Sequence, residues 1–181
     1  PDSFQTAGKM GICSMPFAPV VARAALHFGE EPCISGNRGS GTIFFSGCSL
    51  RCVFCQNYRI STENFGQEVS VFRLREIYDE LIAQGAHNIN LVNPTHFVRA
   101  IAQSLKESLP VPVIYNCGGY ESVDSLRMLE GKVQIYLPDF KYVDNQLAIR
   151  YSGTADYFEQ AGAAIREMVR QTGPYRLDQD G

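Results

Sequence analysis

From residue 41 onward, short apolar runs rich in β-branched and aromatic side chains alternate with longer runs whose apolar positions recur every three or four residues. The short runs, 42–46, 89–92, 113–116 and 133–137, predict strands. Between the first two, Leu74, Ile77, Tyr78, Leu81 and Ile82 share one helical face, and Gly85 stops that helix. Phe97, Ile101, Leu105 and Leu109 define a second helix ending before Pro110, and Val123, Leu126 and Leu129 a third. A last helix turns Phe158, Ala161, Ile165 and Met168 or Val169 inward and ends at Gly173-Pro174. Strand, loop and helix repeated four times predict an α/β fold, a parallel sheet with helices on its outer face. Ligands of such sheets sit at the C-terminal ends of the strands.

The polar residues gather where that geometry places a rim. The loop with Cys48, Cys52 and Cys55, the run Asn93-Pro94-Thr95-His96, the run Asn116-Cys117-Gly118-Gly119-Tyr120 and the run Asp139-Phe140-Lys141 each follow an apolar strand. Asp139 and Lys141 are two apart, so a strand continuing through them puts both side chains on one face. There a carboxylate and an ammonium offset each other's desolvation, whereas at a solvated strand end they form a weak exposed pair.

Composition narrows the classes. A chain of 181 residues without repeats or low-complexity linkers predicts one domain, and a net charge of −3 with dispersed basic residues gives no stripe for nucleic acid. Six cysteines are too few for a disulfide-built scaffold, which points to reduced thiols and a cytoplasmic location. Lys9 and the mostly apolar run 11–22 imitate a signal peptide, but Pro16 and Pro19 break any helix and the run is too short to span a bilayer, so no membrane association is expected. A start at Pro1 and the tail Leu177-Asp178-Gln179-Asp180-Gly181 predict that both ends are cut from something longer.

Three cysteines within eight residues carry the strongest chemistry. A cubane iron–sulfur cluster normally takes four thiolates, so a loop supplying three leaves one iron open to a non-protein ligand. The competing possibility is a zinc knuckle of Cys48, Cys52 and Cys55 with His96 as fourth ligand. No second short ligand pair recurs in the sequence to support it. Cys117 reads as a small buried residue, and Cys13 and Cys33 as free thiols outside any ligand spacing.

The run from Gly41 through Gly47-Cys48-Ser49-Leu50-Arg51-Cys52-Val53-Phe54-Cys55-Gln56-Asn57, the run Gly85 to Phe97 and the run 135–142 together resemble the radical S-adenosylmethionine (SAM) enzymes, in the branch related to pyruvate formate-lyase activating enzymes. The similarity runs from about residue 23 to residue 174. It implies a partial parallel β/α barrel of the radical SAM type, with about four of six strands visible here. Residues 1–40 would be an N-terminal extension, with Gly11-Ile12-Cys13 the remnant of a cysteine-containing element, and 41–181 a C-terminally incomplete radical SAM core.

Carried onto this chain, the resemblance makes Cys48, Cys52 and Cys55 the ligands of a [4Fe-4S] cluster and Phe54 the aromatic residue whose backbone lies near the adenine of SAM. Asn93 and Thr95 stand where relatives hold the SAM amine, though a threonine before a helix also suits an N-cap. His96 suits either a helix-start polar residue or a cofactor or proton-transfer role. Asn116, Gly118 and Gly119 match a SAM-contacting loop, and the glycines equally suit a turn needing positive φ. Asp139 and Lys141 match residues that help bind SAM or substrate and are the catalytic candidates. The implied activity is reductive cleavage of SAM to a 5′-deoxyadenosyl radical for hydrogen abstraction. Reduced flavodoxin or ferredoxin would be the electron donor and a glycyl radical enzyme a possible protein substrate. A radical SAM enzyme acting on a small molecule and a zinc-stabilised binding module remain alternatives.

Overall fold

The computed structural model describes residues 16–174. Six strands form one mixed sheet: β1 Val20–His27, β2 Ser40–Phe45, β3 Gln67–Glu68, β4 Ile89–Val92, β5 Val113–Cys117 and β6 Ile135–Pro138, in the order β3-β1-β2-β4-β5-β6. The four predicted strands are the four that pair in parallel, β2 with β4, β4 with β5 and β5 with β6. β1, which the pattern did not predict, runs antiparallel to β2 and carries β3 on its other edge. It begins directly after Pro19, so the last three residues of the apolar run, 20–22, lie in the sheet. Cys13 and the chain's two ends lie outside the described residues.

Alternation along the strands separates two faces. Ile43, Leu91 and Tyr115 lie side by side in register and belong to the main core. Against that face pack α3 Val71–Ala83, α4 Val98–Ser104, α5 Val123–Arg127 and α7 Tyr157–Thr172, through Leu74, Tyr78, Ile101, Leu126 and Met168. Burying a side chain of this size stabilises by about 1.5–3 kcal/mol each. The intervening row, Thr42, Asn90, Ile114 and Ile135, faces the other way. Asn90 is fully buried there and neither amide atom has a partner.

Local signals explain the helix limits. The Ser70 hydroxyl accepts from the Arg73 amide at 3.0 Å to start α3, and Gly85, at φ +98°, follows its end. The remaining helices are short: α1 Pro32–Ser35, α2 Tyr58–Thr62 and α6 Asn145–Ser152. The helix predicted through Leu109 is shorter than its apolar pattern. A 3₁₀ turn, Thr95–Phe97, precedes α4, and Ser104 closes it by bonding back to the Ile101 carbonyl at 2.8 Å. In α7 the inward residues are Tyr157, Ala161, Ala164 and Met168, while Phe158 and Val169 face outward. Among the described residues no helix is long and apolar enough to cross a membrane.

Candidate functional site

The cysteine loop leaves the C-terminal end of β2. Gly47, at φ +80°, turns the chain outward; its amide donates to the Ile60 carbonyl at 3.0 Å and its carbonyl accepts from the Asn93 side chain. Leu50 anchors the loop in a small second core with Tyr142, Ala148, Tyr157 and Ala161. Arg51 adopts φ +48°, and the Cys55 amide donates to the Cys52 carbonyl at 3.1 Å, closing a turn between the second and third cysteines.

Cys48, Cys52 and Cys55 are all half-buried free thiols. Burial raises the Cys48 thiol, the Arg51 and Leu50 backbone hydrogen bonds oppose that, and the Cys52 and Cys55 sulfurs push it further up. Ser152 donates to the Cys52 sulfur at 2.9 Å and Ser61 to the Cys55 sulfur at 3.4 Å. Three soft sulfur donors on one short loop suit a thiophilic metal such as iron or zinc. As they stand, no three Cys, His, Asp or Glu side chains among the described residues converge tightly enough to hold a metal ion.

The loops after β4 and β5 are locked to each other. Asn93 takes φ +57°, and its amide donates to the Asn116 carbonyl at 2.8 Å. Thr95 is not a helix cap: its hydroxyl donates to Glu121 Oε1 at 2.6 Å, while Tyr115 donates to Glu121 Oε2 at 2.8 Å. Glu121 is only 2 % exposed and was not among the predicted site residues. His96 donates from Nε2 to the Ser46 carbonyl, and Nδ1 is buried without a partner. Burial lowers its pKa to about 4, the Ser46 contact opposing that, so the ring is neutral at pH 7 and spans two rim loops.

Both glycines of the β5 loop are explained by crowding. A Cβ on Gly119 would lie 2.2 Å from the Asp139 carbonyl oxygen, and its φ is +79°. A Cβ on Gly118 would meet the Leu50 side chain at 2.7 Å. Tyr157, unpredicted and fully buried at the start of α7, joins these loops. Its hydroxyl accepts from the Lys141 amide at 2.9 Å and faces the Gly118 and Asp139 carbonyls at 2.8 and 3.0 Å.

The structure brings Asp139 and Lys141 together, though not as a strand would. β6 ends at Pro138, and the two side chains meet across the loop at 2.5 Å. Lys141 is 22 % exposed and Asp139 62 %. Burial lowers the Lys141 ammonium, but the Asp139 hydrogen bond and charge, with the Cys52 and Cys48 sulfurs, raise it overall. The ammonium pairs with the carboxylate, and its stem lies 3.6 Å from where a Gly118 Cβ would be, a point that Leu50 of the cysteine loop approaches to 2.7 Å. Phe54 is exposed, edge-on to Tyr142 and Tyr151 with ring centroids 6.3 and 6.5 Å away. Cys117, by contrast, is buried in the main core, where burial and Glu121 raise its thiol strongly, and Cys33 is exposed on α1.

The chain is similar to the uncharacterized protein MJ0674 of Methanocaldococcus jannaschii, with 34 % identity over 143 residues. That similarity covers 74 % of this chain and 41 % of the relative, so the chain spans less than half the relative's length. No family model matches it.

Proposed function

We propose that this chain is the core of a radical SAM enzyme related to pyruvate formate-lyase activating enzymes, its four parallel strands forming part of a β/α barrel. The observation that carries this is the loop of Cys48, Cys52 and Cys55 at the C-terminal end of a parallel strand, beside the Lys141 ammonium. Cys48, Cys52 and Cys55 would hold a [4Fe-4S] cluster. With SAM bound, that group supplies one-electron cleavage of the sulfonium and a 5′-deoxyadenosyl radical for hydrogen abstraction.

The chain's own residues would orient and shield. Lys141 places a positive charge next to the cysteine loop, where it favours carboxylate groups and thiolates, and Asp139 holds that ammonium in place. The partly buried Asn93, Asn116 and Gly118, with Thr95 held by Glu121 behind them, would form the polar side of the rim. Phe54, Tyr142 and Tyr151 would form its aromatic side, beside the half-buried cysteine loop. His96 is neutral and tied to Ser46, so its role is to hold the rim, and zinc ligation would cost that bond.

Anaerobic reconstitution with iron and sulfide, then reduction in the presence of SAM, tests the proposal. The expected result is about four irons and four sulfides per chain and formation of 5′-deoxyadenosine. Stoichiometric zinc that resists exchange, with no iron uptake, would replace it with the zinc-stabilised binding module. Deoxyadenosine that accumulates only with a protein partner would point to a protein substrate, and substrate turnover without one to a small molecule.

A further inference from the structure

One helix outside the parallel repeat grips the cysteine loop. α6 lies between β6 and α7, and its last residue, Ser152, is fixed by Gly153, which ends the helix in the left-handed conformation at φ +67°. From that position the Tyr151 carbonyl accepts the Val53 amide at 2.9 Å and the Ser152 hydroxyl donates to the Cys52 sulfur at 2.9 Å. Behind it, the Tyr142 hydroxyl lies 2.6 Å from Ser152 Oγ. A ligating thiolate has no proton to give, so the chain of bonds has one polarity: Tyr142 donates to Ser152, and Ser152 donates to Cys52. Tyr142 and Ser152 are both buried, and Tyr142 and Leu50 belong to the small core against which Cys52 packs. In such surroundings successive hydrogen bonds reinforce one another.

We infer that Ser152, backed by Tyr142, is a positioning residue whose hydrogen bond to the Cys52 sulfur raises the reduction potential of the iron–sulfur centre held by the loop. This rests on the proposed function. When an external one-electron donor of the reduced ferredoxin or flavodoxin class passes an electron to the centre, the added negative charge spreads onto the ligating sulfurs. A donor aimed at a sulfur favours that reduced form over the oxidised one. Ser61, 3.4 Å from Cys55, does the same more weakly. The three sulfurs are therefore inequivalent, and Cys52 is the one most strongly coupled to the fold.

The test is the midpoint potential of the reconstituted protein, read by redox titration of its electron paramagnetic resonance signal. Ser152→Ala is expected to make reduction about tenfold less favourable, which is 59 mV for one electron. Tyr142→Phe should shift it in the same direction by about threefold, and Ser152→Thr should keep the wild-type value. Electron–nuclear double resonance after exchange into D₂O should show an exchangeable proton coupled to the centre, lost in Ser152→Ala and retained in Ser152→Thr. Wild-type potentials in fully loaded Ser152→Ala and Tyr142→Phe would overturn the relay while leaving the proposed function intact. If Ser152→Ala does not load iron, Tyr142→Phe decides alone, an unmoved potential overturning the relay. A wild-type protein that takes up no iron would overturn both.

Discussion

The loops after β2 and after β5 are built in opposite ways. Residues 117–121 are fixed by close packing: Gly119 has no room for a Cβ, Tyr157 bridges the neighbouring carbonyls, and Glu121 takes bonds from Thr95 and Tyr115. The cysteine loop is instead held at a few points, by Leu50, by the Val53–Tyr151 backbone bond and by two serine hydroxyls on its sulfurs. One wall of the rim is complete within the protein. The other has its donors in place and unconverged, so a bound metal would supply the contacts that finish it.

Substitutions that strike the packed wall should cost most. Gly119→Ala adds a Cβ against backbone at a left-handed position, and an expected loss of about 3 kcal/mol or more would be read by urea unfolding. A near-neutral result would show that the loop yields and would erase the contrast. Glu121→Leu should cost about 2–3 kcal/mol, because the Thr95 and Tyr115 hydroxyls lose their acceptor.

His96 links the two walls and adds a pH signature. Its folded pKa, about 4, lies below the usual 6.5, so the unfolded chain binds the proton first. Stability should therefore be full above about pH 6.5 and fall as pH drops towards 4, by on the order of 2 kcal/mol. In His96→Phe the slope across that window should vanish; an unchanged slope would assign it to other groups. Smaller again on folding, Cys48→Ala should change the stability of the metal-free chain by under about 1 kcal/mol while abolishing iron uptake. Cys33→Ala should leave both unchanged. A Cys48→Ala cost equal to that of Gly119→Ala would mean that the cysteine loop is as tightly built as its neighbour.

The same contrast governs what the sequence revealed. Strands β2, β4 and β5 were legible because buried apolar runs set their positions within a residue or two, and the cysteine loop because its chemistry is written in spacing. β6 begins two residues later than predicted. Val133 is a core anchor, and Gln134 bonds Val113 at the start of β5 with both its backbone amide and its side-chain oxygen before β6 begins. β1 escaped because alanines and Arg23 give no β signature, and its place comes from pairing with β2. α6 escaped because Leu147 and Ile149 point outward and little Ala148 faces in. Glu121 carried no signal at all, since a charged residue is ordinarily a surface residue. Phe158 misled for the converse reason: it packs on Phe140 at 5.8 Å near the surface while Tyr157 takes the interior.

The antiparallel pairing of β1 with β2 has a consequence for how the chain assembles. These two strands are joined through residues 28–39 alone, whereas each parallel contact of β2, β4, β5 and β6 waits for an intervening helix to be placed. The shorter closure is entropically cheaper and faster. Of the two neighbours of β2, β1 is thus the one reached by the shorter closure, and it covers one edge of the strand that leads into the cysteines.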